Sequence, residues 1–341
     1  MNVLEVNKLH KHYPIKKGRF VCAVNGIDFS IGGGETLGLV GESGCGKTTV
    51  GKCISGLIKP TEGDITLLGQ KLTELKAEDL RKLRNRIQVV FQDPYGSLNP
   101  RKVVHKIVED PLVLEAKHNG YKNGKLDKNR RLQKVKKVLA MVGLSEEYLE
   151  KYPVQLTQGE QQRVGVARAF VTDPQLVILD EPTSLLDIRY RGEIIYLLKR
   201  IQEEIKVSYL FISHDLVVIS QLSHRIAVMY LGRIVEEGPT EMVFGSPLHP
   251  YTRALFAAAL MPDPEQKRDE FLLKGEVPSP VNLSDDQCNL APRCPMAEDF
   301  CLKRLPELEE VEKNHFVACF KTSSTYALGG IGRSDKNKVQ F

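Results

Sequence analysis

The sequence predicts an α/β fold built on a mostly parallel β-sheet with helices on both faces. A small antiparallel β part, an inserted helical part and a cysteine-containing C-terminal extension are predicted to surround it. Two observations predict the central sheet. An apolar run over 37–40 enters a glycine-rich turn and then a helix that begins near Lys47, and helix and strand signals alternate from residue 160 onward. Strands that alternate with helices in this way form parallel sheets.

The glycine-rich turn has the spacing G-x-x-x-x-G-K-S/T through Gly41, Gly46, Lys47 and Thr48. Glycines let successive backbone N–H groups point into one concavity, and the following helix N-terminus adds its positive dipole end. Because a strand precedes the turn and a helix follows it, the spacing predicts a nucleoside-triphosphate site. Lys47 would reach the β- and γ-phosphates and the Thr48 hydroxyl would ligate Mg²⁺. The predicted phosphate-binding residues are Gly41, Ser43, Gly44, Cys45, Gly46, Lys47, Thr48 and Thr49.

The N-terminal region supplies the antiparallel part. Short strands are predicted over 2–6 and 26–30, on either side of a basic loop over 10–19 that contains Tyr13. A turn signal at 60–63 precedes another predicted strand over 64–68. We therefore expect a small sheet next to the phosphate turn.

A helical insertion is predicted in the middle of the chain. Helical spacing over 72–83 precedes a strand over 87–91, which ends at Gln92. Over about 101–155 charged and apolar residues then mix at helical period and strand signals are lacking. This stretch is predicted to be helical, with a flexible basic tract over 117–131.

The alternation beyond residue 160 completes the sheet. Helices are predicted over 161–171, 189–204 and 216–222, and strands over 176–179, 209–212, 226–231 and 234–237. Two prolines and a charged run at 262–269 indicate a domain boundary. We expect a nucleotide-binding domain over 1–261 with its helical subdomain at about 101–172. A cysteine-rich extension over 262–322 and a polar, disordered tail over 323–341 follow.

The composition is that of a globular protein that stays inside the cell. The chain has 341 residues, of which 42% are hydrophobic and 27% charged, and its net charge is +5. No stretch reaches the roughly 20 apolar residues of a membrane span, and the N-terminus lacks a secretory signal. We therefore expect a cytoplasmic location, and we expect the seven cysteines to be free thiols or metal ligands rather than disulfides.

Two adjacent acids follow the apolar strand at 176–179. Ligands collect at the carboxyl ends of such strands. After a phosphate turn, Asp180 is suited to hold Mg²⁺ and Glu181 to polarise the attacking water. Together the phosphate turn and this acid pair predict hydrolysis of a nucleoside triphosphate.

Six strings in chain order resemble those of the ATP-binding subunits of ABC transporters. They are the turn 41–48, Gln92 in Phe-Gln-Asp-Pro, Leu156-Thr-Gln-Gly-Glu-Gln-Gln-Arg163, Leu179-Asp-Glu-Pro182, Ser184-Leu-Leu-Asp187 and Ile212-Ser-His-Asp215. Three further strings and the cysteine-bearing extension resemble the dipeptide/oligopeptide import group. Those strings are Phe91-Gln-Asp-Pro-Tyr-Gly-Ser-Leu-Asn-Pro-Arg101, Met229-Tyr-Leu-Gly-Arg233 and His249-Pro-Tyr-Thr252. The resemblance covers nearly the whole chain.

The resemblance implies roles for individual residues. Tyr13 would stack on the adenine ring, as an aromatic face binds a flat base. Gln92 would contact the Mg²⁺ ion or the attacking water, and His214 would contact the γ-phosphate and hold Glu181 and the water in place. Catalysis would thus involve Glu181, His214 and Gln92, and Mg²⁺ would lie among Thr48, Gln92 and Asp180.

The signature string departs from the family pattern Leu-Ser-Gly-Gly-Gln. Thr157 keeps a hydroxyl and Gly159 keeps a glycine, so both are expected to contact the nucleotide of the facing subunit. Gln158 replaces a glycine where backbone approaches phosphate, and Glu160 puts an anion near the γ-phosphate. We therefore predict a heterodimer with a second ATPase subunit that carries an intact signature.

The resemblance also implies the partners and the purpose. ATP hydrolysis would drive peptide uptake through two membrane permeases supplied by an extracytoplasmic peptide-binding protein, with this chain on the cytoplasmic side of the membrane. Import of nickel or another small solute is an alternative within the family. A soluble ABC ATPase of DNA repair or translation is an alternative from another class. The chain has a single cassette and no heptad run, which disfavours that class and predicts no nucleic-acid partner.

Four cysteines follow the spacing C-x₅-C-x₆-C-x₁₇-C, which is not that of zinc ribbons or ferredoxins. They are Cys288, Cys294, Cys301 and Cys319. Four thiolates suit a tetrahedral soft metal, so zinc, an iron–sulfur cluster and plain reduced thiols stay open from the residues alone. Members of the resembling family can hold a 4Fe–4S cluster on such a quartet, and the resemblance implies that cluster here. Cys45 lies in the phosphate turn, so its alkylation is expected to block ATP binding.

Overall fold

The computed structural model describes residues 1–118, 128–258 and 271–322. Residues 119–127 of the predicted basic tract, the predicted boundary at 262–269 and the predicted tail at 323–341 lie outside the described residues.

A four-stranded antiparallel sheet forms the N-terminal part. Its strands are β1 (Asn2–Pro14), β2 (Phe20–Gly32), β4 (Glu62–Leu67) and β5 (Gln70–Lys71). Their spatial order is β2-β1-β4-β5. The predicted loop over 10–19 is wrong for 10–14, because β1 continues to Pro14 and Tyr13 pairs with Val21 of β2; residues 15–19 do form the connection between the two strands. The basic and polar side chains of 10–14 do not show the apolar–polar alternation that indicates a strand. Backbone pairing with β2 nevertheless makes this stretch extended.

The central sheet has eight strands, five of them parallel. Its first five elements in chain order are β3 (Thr36–Val40), β6 (Ile87–Val90), β7 (Leu176–Asp180), β8 (Ser208–Ile212) and β9 (Arg225–Tyr230). The remaining three are β10 (Arg233–Pro239), β11 (Glu309–Glu312) and β12 (His315–Val317). The spatial order is β11-β12-β10-β9-β3-β8-β7-β6, with β3, β6, β7, β8 and β9 running parallel. This confirms the predicted α/β core.

The central strands are buried on both faces, which explains their continuous apolar runs. In β7, Val177 and Leu179 pack into one core and Ile178 into the other. The helices that cover the two faces and the helical part are, in chain order, α1 (Lys47–Ile54), α2 (Ala77–Arg84), α3 (Pro94–Ser97), α4 (Val104–His118), α5 (Lys128–Met141), α6 (Gln158–Phe170), α7 (Ile188–Ile205), α8 (Leu216–Leu222), α9 (Thr240–Gly245) and α10 (Pro250–Ala258). Among the described residues, none of these helices is long and apolar enough to cross a membrane.

Helices α4, α5 and α6 pack against one another and form the helical part between β6 and β7. Their contact is apolar, with Val108, Val138 and Val164 buried in the same core. Arg131 on α5 donates to Glu109 on α4 (2.7 Å), and both side chains are largely buried. This ion pair joins α4 to α5.

The C-terminal segment is joined to the central sheet by backbone pairing. Strand β12 pairs with β10 through Glu236↔Val317, and β11 pairs with β12. Val21 of β2 also forms an isolated bridge with Val281. The segment therefore contacts both sheets.

Candidate functional site

The phosphate turn lies at the carboxyl end of β3, in the middle of the parallel sheet. Gly46, the last residue before α1, has φ +111°, and a Cβ there would lie 2.0 Å from the carbonyl oxygen of Ala23. At Gly41 a Cβ would lie 2.1 Å from the carbonyl oxygen of Met229. Strands β2 and β9 therefore close on the loop from two sides, and glycine is required at both positions.

Lys47 lies under this loop with only 5% of its side chain area exposed. Its Nζ donates to the carbonyl oxygens of Gly41 (2.7 Å) and Glu42 (3.0 Å). The ammonium is thereby held at the centre of the loop, where the α1 N-terminus also directs its backbone N–H groups. The ammonium and the N–H groups give this loop a geometry and a charge that suit an anion. Ser43, Gly44 and Thr48 are exposed at its rim and Thr49 is half-buried.

Asp180, the first acid of the predicted pair, is hydrogen-bonded to the first turn of α1, directly after the phosphate loop. Thr48 Oγ1 donates to Asp180 Oδ1 at 3.1 Å. Burial raises the pKa of the Asp180 carboxyl, and the neighbouring Glu181 raises it further, although the Thr48 hydrogen bond opposes both. A half-buried carboxylate next to a hydroxyl offers the oxygen ligands that Mg²⁺ prefers. The residues present therefore fit a magnesium ion.

Glu181 lies between the two other predicted catalytic side chains. Its Oε1 is 3.0 Å from His214 Nδ1, and its Oε2 accepts from Gln92 Nε2 at 2.9 Å. Glu181 has φ +49°, a left-handed conformation that costs a non-glycine residue about 1–3 kcal/mol. Its backbone N–H donates to Ile212 of β8 at 2.9 Å, which holds the strained residue at the strand end. The geometry presents one carboxylate oriented from both sides.

The parallel register explains why these residues meet. Asp180 pairs with Ile212, and Ile212 pairs with Leu39 of β3. Four adjacent strands therefore end at one edge of the sheet and deliver the phosphate loop, the acid pair, His214 and Gln92 there.

Tyr13 lies at the end of β1, on the hairpin whose Ala23 closes on the phosphate loop. Its side chain is 37% exposed, and the Lys11 ammonium lies 5.1 Å from the ring centroid. The Lys11 ammonium lies over the ring face, and a partly exposed aromatic ring of this kind can stack on a flat base.

The signature segment begins α6. Thr157 is its N-cap, and the Glu160 carboxylate is turned back to accept from the Thr157 N–H (2.7 Å) and Oγ1 (3.0 Å). Tyr148 donates its hydroxyl to the same carboxylate (2.6 Å). Gly159 is buried against the ring of Tyr190. The spacing Thr-x-x-Glu is a capping-box pattern, and that signal could have predicted the orientation of Glu160 from the sequence.

The four C-terminal cysteines line one small, largely apolar cavity of about 20 Å³. Burial raises the pKa of all four thiols, and that of Cys319 rises to about 12. Within residues 1–118, 128–258 and 271–322, no group of three or more His, Cys, Asp or Glu side chains is arranged to hold a metal ion. The donor set is that of a soft metal, but as they stand the thiols enclose room for about one water molecule.

Sequence reasoning missed the residues that hold the outer end of the phosphate loop. Tyr251 Oη accepts from the Glu42 N–H (2.8 Å), and Arg293 Nη1 lies 3.4 Å from Glu42 Oε2. Tyr251 belongs to the string His249-Pro-Tyr-Thr252, which resembles the import group but carries no local sign of a contact with Glu42. Contacts over such chain distances leave no local pattern.

The class of protein follows from the edge of the sheet just described. A lysine-bearing anion seat at a helix N-terminus, next to a hydroxyl–carboxylate pair and an oriented glutamate, is the arrangement of a P-loop nucleoside triphosphatase.

Comparisons with known proteins show to which family of P-loop proteins the chain is similar. A family model described as "ABC transporter" matches residues 24–184, and one described as "Oligopeptide/dipeptide transporter, C-terminal region" matches 235–301. The oligopeptide transport ATP-binding protein AppF of Bacillus subtilis is 43% identical over 93% of this chain and 96% of its own length. The dipeptide transport ATP-binding protein DppF of Haemophilus influenzae is 40% identical over 92% and 94%.

Solved structures agree with this result. The ATP-binding cassette MJ0796, in a dimeric post-hydrolysis state bound to ADP and Pi, matches with a TM-score of 0.62 at 29% identity. The match covers 70% of this chain and 98% of that one. The chain belongs to the ABC transporter family, within the group of oligopeptide and dipeptide transport ATP-binding proteins. The resemblance drawn from the sequence strings is thereby confirmed.

Proposed function

We propose that the chain hydrolyses Mg·ATP at its phosphate loop to drive import of di- and oligopeptides from the cytoplasmic face of a membrane. The observation that carries hydrolysis is the position of Glu181 between His214 and Gln92, at 3.0 and 2.9 Å. The relatives are oligopeptide and dipeptide transport ATP-binding proteins, which supports peptides over nickel as the cargo.

The chain's own residues have separable tasks in this proposal. Lys47 and the loop N–H groups bind the phosphates. Thr48, Gln92 and Asp180 would hold a magnesium ion, which would supply charge neutralisation at the phosphates when bound. Glu181 accepts a hydrogen bond from the attacking water, and His214 keeps that carboxylate in place. Tyr13 receives the adenine, and Gly44, Cys45 and Gly46 belong to the phosphate cradle.

The test of hydrolysis is Glu181→Gln in the complex assembled with its permeases and second ATPase. Loss of the oriented carboxylate should lower kcat by about 10²–10⁴-fold while ATP still binds. Glu203→Gln, an exposed acid on α7, is the matched control and should retain full turnover. Equal turnover by wild type and Glu181→Gln would refute the role of Glu181.

We also propose that the chain works in a heterodimer. In the signature segment the Thr157 hydroxyl donates to Glu160, so it is not free to donate to a phosphate across a dimer seam. The Glu160 carboxylate adds negative charge to the same surface. Burial tends to raise its pKa, but the hydrogen bonds from Tyr148 and Thr157 outweigh that and leave it lowered. A partner with an intact signature would complete the site built on this chain's Lys47 and Glu181.

The heterodimer proposal predicts little ATPase activity for this chain alone and a strong increase on adding the paired subunit. Glu160→Gln should raise the activity of the chain alone, because glutamine keeps the capping box and removes the charge. Robust turnover by the wild-type homodimer, unchanged by Glu160→Gln, would contradict it.

The cargo is tested by uptake into vesicles that hold the assembled transporter and its peptide-binding protein. Labelled di- and tripeptides should accumulate with wild type and not with Glu181→Gln. Accumulation of nickel in place of peptides would favour a nickel importer of the same family. Membrane-free association with ribosomes or DNA would favour a soluble ABC ATPase of translation or DNA repair.

For the cysteine quartet we propose a 4Fe–4S cluster. Its support is that Cys288, Cys294, Cys301 and Cys319 line one cavity, and that four thiols are a donor set for a soft metal. The thiols would have to lose their protons and turn to enlarge the cavity. Anaerobic purification should give brown protein with iron and sulfide. If metal analysis finds zinc and no iron, the quartet is a zinc site. If it finds neither metal, the four cysteines are reduced thiols.

A further inference from the structure

The outer end of the phosphate loop is held by residues from far along the chain. Tyr251 Oη accepts from the Glu42 N–H at 2.8 Å, and Arg293 Nη1 lies 3.4 Å from Glu42 Oε2. Both residues lie within 235–301, the region matched by the oligopeptide/dipeptide C-terminal model, and outside the 24–184 matched by the ABC model. The phosphate loop thus contacts the C-terminal region that the oligopeptide/dipeptide transport proteins share.

These two residues are themselves fixed. Tyr251 is fully buried, with its ring centroid 4.6 Å from that of Tyr230. The Arg293 guanidinium lies 6.0 Å from the Tyr230 centroid, and its side chain is 11% exposed. The Arg293 N–H donates to the Leu290 carbonyl at 2.8 Å, in the turn between Cys288 and Cys294. The position of Arg293 therefore follows from the fold of the cysteine-bearing segment.

The contact with Glu42 extends to Lys47 through one peptide unit. The Glu42 N–H and the Gly41 carbonyl belong to the same planar peptide and point in opposite directions. Tyr251 holds the N–H side, and Lys47 Nζ donates to the carbonyl side at 2.7 Å. Rotation of this plane would move the acceptor of the lysine that lies in the anion seat.

We infer that Tyr251 and Arg293 are positioning residues for the phosphate loop. They hold the Gly41–Glu42 peptide plane and its neighbouring side chain, and so orient Lys47 for the phosphates. The C-terminal segment is in consequence part of the nucleotide site. This inference depends on the proposed binding of ATP at the loop.

The experiment measures binding of trinitrophenyl-ATP with Mg²⁺ to the full-length chain. Arg293→Met and Tyr251→Phe should each raise Kd about tenfold, the effect of one lost buried hydrogen bond or ion pair. Arg293→Lys keeps the charge and should recover most of the affinity. In the assembled transporter Arg293→Met should raise KM for ATP with kcat retained.

A matched control separates positioning from general loosening of the segment. Asp285 joins the same segment to the core by accepting from Arg233 (2.5 Å) and Asn25 (3.0 Å), without touching Glu42. Asp285→Asn should leave Kd unchanged. Thermal unfolding of each variant checks that the segment stays folded.

A double-mutant cycle isolates the contact itself. Glu42→Gln should weaken binding as Arg293→Met does, and the double variant should bind no more weakly than either single one. Additive losses, equal losses in Arg293→Met and Asp285→Asn, or unchanged Kd in both Arg293→Met and Tyr251→Phe would each overturn the inference. If wild type and Lys47→Ala bind the probe alike, the proposed ATP site is wrong and the inference fails with it.

Discussion

The stability of the C-terminal junction should depend on pH through His249. This histidine is 2% exposed, and burial lowers its pKa from 6.5 to about 4. Its Nδ1 accepts from the Tyr251 N–H at 3.1 Å, so that nitrogen carries no proton in the folded state. The geometry and the pKa therefore agree on a neutral ring, which lies at the start of the helix that reaches the phosphate loop.

The magnitude follows from linkage. Between pH 6.5 and pH 4 the unfolded chain binds a proton at this position and the folded chain does not, so the free energy of unfolding falls as pH falls. With pKa values of 6.5 unfolded and about 4 folded, His249 accounts for a loss of about 2 kcal/mol between pH 7 and pH 5. The contribution is fully present above pH 6.5 and is lost towards pH 4.

The assay compares wild type with His249→Asn by urea unfolding at pH 7 and pH 5. Asparagine places an oxygen where Nδ1 accepts from Tyr251, and it does not titrate. The wild type should lose about 2 kcal/mol more than the variant on acidification. Equal losses in the two proteins would mean that His249 titrates alike in the folded and unfolded states, and the reasoning would be refuted.

Three further predictions concern the loop and the core. Gly46→Ala should raise the nucleotide Kd more than about tenfold, because its Cβ would lie 2.0 Å from the Ala23 carbonyl; binding titration of the folded variant checks this, and unchanged affinity would contradict it. Cys45 is 5% exposed and burial raises its pKa, so N-ethylmaleimide should modify it slowly in the folded chain and rapidly in urea, as mass spectrometry would show. Arg225→Met should destabilise folding by about 3–5 kcal/mol, since it leaves the buried Glu237 carboxylate unpaired; a loss below 1 kcal/mol in urea unfolding would count against the pair.

Much of the candidate site could be predicted because its signals are local. The spacing from Gly41 to Thr48 requires only a strand, a turn and a helix, and the acids at 180 and 181 directly follow an apolar run. The parallel order of the sheet then brings Gln92 and His214 to the same edge, as the alternation of helices and strands predicted.

Other predictions from the sequence were wrong or incomplete, because contacts between distant parts of the chain decide these features. The stretch at 10–19 carries charges that suggest a loop, yet pairing with β2 keeps it extended to Pro14. The cysteine spacing could not indicate whether the thiols meet, and only the fold brings them to one cavity.

By itself the sequence determined the class of chemistry, since glycine backbone freedom, a lysine and a carboxylate pair act through short-range geometry that spacing records. The tertiary structure alone decided what holds that chemistry in place. Tyr251 and Arg293 reach Glu42 from 209 and 251 residues away. Such contacts depend on how whole elements pack, and no local period in the chain encodes them.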